Sequence, residues 1–178
     1  MRLALREPIF VNEFSAQTMK KYFRHEAAKQ VAALLRYESY IVTLALLGLL
    51  INTLDSSYGS YIITFALSTL IVLYLFKAYI TPEDKKATAW EHFIAKLTMF
   101  SSSVVVAGVI FLLFRWPGDI PLLITGGSAL FLALPFQVHY ITSRPDTKVI
   151  EGSMILRTMV LLSVVILLFF WSNGIIEK

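Results

Sequence analysis

The side chains able to do chemistry are few. The three histidines are His25, His92 and His139, and cysteine is absent. No two histidines stand at a metal-ligand spacing, and neither an HExxH run nor a paired-carboxylate motif occurs. Two Glu–His neighbour pairs exist, "RHEA" around His25 and "AWEHF" from Ala89 to Phe93. Neighbours on a helix point about 100° apart, so neither pair holds a metal without outside ligands. Ser101, Ser102 and Ser103 offer three hydroxyls in a row, but the apolar run around them supplies no base to activate one. The lack of cysteine removes disulfides, thiolate metal sites and thiol nucleophiles together. No Walker loop, dinucleotide fingerprint or kinase signature is present. The expectation is a protein without catalytic residues, metal or cofactor.

The elements that carry these residues are membrane-like. Of 178 residues, 57% are hydrophobic and only 16% charged, an excess that must face lipid. A hydrocarbon core of about 30 Å takes roughly 20 helical residues to cross. Five segments are read as spans: Ser39–Leu54, Ser60–Ile80, Leu97–Phe114, Ile120–Ile141 and Ser153–Trp171. The first is the shortest, with Tyr37, Tyr40 and Tyr58 as interfacial anchors. The runs are continuous and do not alternate, which excludes barrel strands. The predicted fold is all-α: a five-helix transmembrane bundle of two tandem hairpins (39–80 and 97–141) and a fifth helix (153–172). Cytoplasmic loops at 81–96 and 142–152 connect them, and residues 173–178 form an external tail.

Residues 1–38 form a charged leader with no signal-peptide pattern, so the first span is expected to be retained. Within it, "SAQTMKKYFRHEAAKQVAALLRYESY" reads as one amphipathic helix lying on the anionic membrane surface or docking a cytoplasmic partner. Basic residues set the orientation. Fourteen of the sixteen Lys and Arg fall in the leader, the end of the second span, the even-numbered connections and the start of the last span, against Arg115 and Lys178 on the other side. The positive-inside rule then places the N-terminus in the cytoplasm and the C-terminus outside an inner (cell) membrane. That bias also accounts for the basic pI of 9.3, so nucleic acid is not an expected partner. The expected partners are the bilayer and other membrane subunits or further copies of the chain.

The chain repeats itself. Gly48, Gly59, Phe76 and Tyr79 recur as Gly108, Gly118, Phe136 and Tyr140, at offsets of 59 to 61 residues. Arg36, Lys96 and Arg157 recur at 60 and 61, each at the start of an odd-numbered span, where they are read as cytoplasmic anchors. The stretch "FRWPGDIP" is the turn of the second hairpin. Trp116 suits the headgroup layer, Pro117 cannot continue a helix, and Gly118 permits a tight turn. Asp119 is read as the cap of the next helix, and Pro121 fits its first turn. Ser101–Ser103 with Gly108, and Gly126, Gly127 and Ser128, form small-residue faces suited to helix packing or, alternatively, to lining an uncharged pathway.

The run "GVIFLLFRWPGDIPLLITGG" resembles a hairpin of the GldL-like inner-membrane proteins of Bacteroidetes, associated with gliding motility and type IX secretion. The resemblance covers about 30 residues and is carried by Trp116, Pro117, Gly118 and the Leu/Ile–Gly pattern after them. It implies an ion-driven motor component, whose ion-carrying carboxylate would lie within a span. The five spans as read contain no Asp or Glu. The expectation is therefore a non-enzymatic accessory or scaffold subunit, with a small transporter or channel and a motor stator as alternatives.

Overall fold

The computed structural model describes residues 37–54, 57–80, 87–143 and 149–172, and every element in them is helical. The five helices are α1 (Glu38–Thr53), α2 (Ser57–Ile80), α3 (Ala89–Leu113), α4 (Asp119–Ser143) and α5 (Gly152–Ser172). The leader helix, Arg36 and the external tail lie outside the described residues.

Four helices are long and apolar enough to cross a membrane: Tyr58–Ile80, Ala89–Leu113, Asp119–Ser143 and Gly152–Trp171. That is the requirement for a multi-pass membrane protein. The first expected span falls short of the others, since α1 has only 16 residues, or about 24 Å. The third helix begins eight residues earlier than expected, so residues 89–96 are helix and not loop. Its start is local chemistry. The Thr88 hydroxyl accepts from Glu91 N–H at 3.3 Å, and the Glu91 carboxylate accepts from Thr88 N–H at 2.9 Å. This capping box satisfies two donors that a helix start otherwise leaves open.

Consecutive helices pack on one another, and α5 also touches α3. Small residues set the closest approaches. A Cβ on Gly48 would stand 2.9 Å from Ile63 of α2, and one on Gly108 would stand 3.0 Å from Leu123 of α4. Gly108 and Leu123 each lie 60 residues after Gly48 and Ile63, so the repeated glycine makes the same contact in each helix pair. Phe76 and Phe136 are likewise both half-exposed. Gly59 and Gly118 are not equivalent, despite their matching position in the sequence. Gly59 is helical and pressed against the Asn52 backbone, whereas Gly118 sits in open space at φ 100°.

The turn at 114–119 departs from expectation in one respect. Gly118 O accepts from Leu122 N–H at 3.2 Å, so Gly118 takes the cap position and Asp119 is the first helical residue. There its carboxylate still complements the positive helix end. Before it, Trp116 N–H reaches Phe111 O at 2.8 Å and Arg115 N–H reaches Leu112 O at 3.1 Å. This is the Schellman pattern, with Arg115 in the left-handed position (φ 54°) that glycine normally takes.

Candidate functional site

Polar side chains gather inside the bundle at the end where α1, α3 and α5 begin and α2 and α4 finish. Arg157 of α5 turns inward, with only 10% of its side chain exposed, and forms an ion pair with Glu38 of α1, 17% exposed. Its Nε donates to Glu38 Oε1 at 2.6 Å, and Nη2 donates to the second carboxylate oxygen. The two residues are 119 positions apart in the chain. The Tyr74 hydroxyl of α2 donates to the same Oε1 at 2.5 Å, and the guanidinium lies 5.2 Å from the Tyr74 ring centroid. Arg157 Nη1 also approaches Met99 Sδ of α3 at 3.5 Å. One carboxylate and one guanidinium thus tie together four helices. Lys77 lies one turn beyond Tyr74 on α2, within the electrostatic influence of this cluster.

Arg157 is the sixth residue of α5, about 8 Å in from its start at Gly152. A lone charge so nearly buried is costly, and here the carboxylate takes three charge-assisted donors. The spans read from sequence had placed Glu38 one residue outside the first helix and Glu91 six residues outside the third. Both are helical, and Glu91 is fully buried.

A second network lies beside the first. Thr98 of α3, Gln137 of α4 and Thr158 of α5 are all fully buried. Gln137 Nε2 donates to Thr98 Oγ1 at 2.7 Å, and Thr158 Oγ1 stands 3.2 Å from Gln137 Oε1. Both hydroxyls have helix carbonyls as well: Thr98 donates to Ile94 O and Thr158 to Met154 O, each at 2.8 Å. The amide is therefore a bridge among three helices.

The small residues singled out from sequence are spread over several contacts. Ser101, Ser102 and Ser103 are buried. Ser102 donates to Thr98 O at 2.7 Å and Ser103 to Phe100 O at 2.6 Å, so these hydroxyls turn back on their own helix. A Cβ on Gly126 would stand 2.9 Å from Val105 N and 3.1 Å from Ser101 O, and one on Gly127 would stand 2.9 Å from Val165 of α5. Ser128 is exposed and donates to Thr125 O at 3.1 Å. Trp116 packs its ring on Phe111 and Phe114. Of the repeated basic residues, Lys96 is exposed, while Arg157 is directed into the bundle.

Glu38, Tyr74, Thr98, Gln137 and Thr158 did not stand out in the sequence reading. Gln137 carried a usable signal, as the lone amide in its apolar run. Glu38 carried one in its position directly ahead of the first run. Among the described residues no group of three or more His, Cys, Asp or Glu is placed to hold a metal ion. What this arrangement does chemically is bind helices together: its donors and acceptors are turned on one another.

Compared with family models, curated proteins and solved structures, the chain matches none.

Proposed function

We propose that this chain is a non-enzymatic accessory or scaffold subunit of an inner-membrane complex. In this reading all five helices are embedded in the membrane as two tandem hairpins plus one helix. The N-terminus is cytoplasmic, the C-terminus external, and the basic leader helix is presented to the inner leaflet or a cytoplasmic partner. The observation that carries it is the commitment of the interior polar groups. Ser102, Ser103, Thr98 and Thr158 bond to carbonyls of their own helices, and Gly108, Gly126 and Gly127 are filled by Leu123, Val105 and Val165. Groups so engaged support a rigid packing role over a solute pathway. Glu38, held by Arg157 and Tyr74, supports the same role over that of a motor carboxylate, which must exchange its ion freely. The equivalent contacts of Gly48 and Gly108 support parallel repeats, both starting from the same membrane face.

Affinity purification from native membranes tests the function. A stable complex that is lost on deleting residues 1–30 is the expected result. A partnerless monomer that moves a solute in liposomes, with flux abolished by bulky substitution at Ser102 or Gly127, would make it a transporter. Cysteines at Ser57 and Thr147 test the orientation: an impermeant reagent added to intact cells is expected to label the first and not the second.

A further inference from the structure

At the end of the bundle opposite the ion pair, the start of α2 and the turn after α3 border a groove of about 400 Å³ lined by Ser60, Tyr61, Thr64, Phe114 and Trp116. That volume lies in the lower part of the range that holds small ligands. Its two aliphatic hydroxyls are already engaged: Ser60 donates to Asn52 Oδ1 at 2.8 Å and Thr64 donates to Ser60 O at 2.8 Å. What remains open is aromatic wall, with Tyr61 and Trp116 strongly exposed on its two sides. Between two lining residues, Phe114 and Trp116, stands Arg115. It is exposed, makes no side-chain hydrogen bond or ion pair with any described residue, and adopts the left-handed backbone that disfavours every residue with a Cβ. The turn would close at lower cost with glycine, so the cation is not there for the turn.

We propose that this groove and Arg115 form a binding site for one anionic phospholipid, the acyl chain in the aromatic slot and the phosphate on the guanidinium. The inference rests on the membrane-crossing reading of the helices, and not on the scaffold role. Three features fit a lipid. The slot opens at helix ends, where headgroups lie if α2 and α3 cross the bilayer. Its walls are the tyrosine and tryptophan that favour that layer. Arg115, which has no side-chain partner among the described residues, has the sign a phosphate requires, and a single Arg near an anionic headgroup corresponds to about a fivefold preference.

The test uses the full chain with Trp90 and Trp171 replaced by Phe, which leaves Trp116 as the sole tryptophan for selective excitation, reconstituted in phosphatidylcholine vesicles. Phosphatidylglycerol with brominated acyl chains is titrated in, and quenching is compared with that by brominated phosphatidylcholine. About fivefold stronger quenching by phosphatidylglycerol is expected, abolished in Arg115→Gly and reduced in Thr64→Phe, which fills the slot. Millimolar inorganic phosphate is expected not to compete, because it lacks the chain. Equal quenching by the two lipids, or a preference that survives Arg115→Gly, would overturn the site while leaving membrane insertion intact. No quenching by either lipid would overturn the membrane reading and the site with it. Arg115→Gly relieves backbone strain, so loss of folding does not confuse its result.

Discussion

Replacing Glu38 tests whether the bundle is closed by its buried ion pair. Glu38→Gln keeps the shape of the side chain and removes its charge. Arg157, 10% exposed, then loses its counter-charge and keeps at most a neutral hydrogen bond to the amide oxygen, with weak contacts to Met99 and the Tyr74 ring. Breaking a fully buried pair from one side costs about 3–5 kcal/mol, mostly the penalty of the charge left behind. Glu38 retains 17% exposure near a helix end, where water or headgroups can partly solvate Arg157, so about 2–3 kcal/mol is the expected loss after that discount. Arg157→Met is expected to cost a similar amount by stranding Glu38. The double variant Glu38→Gln/Arg157→Met leaves no orphan charge, and it should be less destabilised than the two single losses summed, with a coupling of at least about 1 kcal/mol. The measurement is reversible unfolding in mixed micelles, read by tryptophan fluorescence, for all four members of the cycle. If both single changes stay within about 0.5 kcal/mol of the parent and add in the double, Arg157 is only an interfacial cation and the closure argument fails.

Four further substitutions probe the packing and the turn. Gln137→Leu is expected to cost no more than about 1 kcal/mol in the same unfolding assay, since Thr98 and Thr158 keep their helix carbonyls and interhelical bonds in membranes average about 0.6 kcal/mol. Gln137→Ala should cost more, about 2 kcal/mol, because it adds a cavity. Gly126→Val is expected to destabilise by about 1–3 kcal/mol, as its Cβ would stand 2.7 Å from Val105 Cγ2 and 2.9 Å from Val105 N; an unchanged melting curve would refute the tight α3–α4 approach. Arg115→Gly is expected to raise the melting temperature by about 2 °C, through release of roughly 1 kcal/mol of left-handed strain partly offset by the added freedom of glycine.

Which parts could be read from the sequence follows from how local the cause is. The helices are written in continuous apolar runs, and the turn at Trp116–Asp119 is written in a Pro–Gly pair that has few conformational options. The early start of α3 was also local, in Thr88 and Glu91 three residues apart, but hydropathy masks it because Glu91 and Lys96 depress the window in which the helix begins. Arg157 is a different case. Its recurrence with Arg36 and Lys96 suggested three equal anchors, yet what decides its direction is a carboxylate 119 residues away. Periodicity has no access to such a pair. The same holds for Gln137, whose neighbours in the chain are apolar and whose partners Thr98 and Thr158 arrive on other helices.

The shortness of α1 and the depth of the ion pair have one explanation. In the proposed membrane arrangement α1, at about 24 Å, is shorter than the roughly 30 Å hydrocarbon layer, and a helix so mismatched ordinarily thins the bilayer, draws its flanking residues to the surface or associates with others. Glu38, its first residue, cannot be drawn outward while it is bound to Arg157, about 8 Å inside α5. In the proposed arrangement, with α1 running alongside α5 from that depth, about 24 Å of helix would reach the far end of α5, which is about 32 Å long. The length α1 lacks would then fall at the ion-pair end, where the carboxylate, the guanidinium and the Tyr74 hydroxyl satisfy one another. There the pair would fix the register of the first helix against the last, a role that gives a reason to keep charges where leucines would pack.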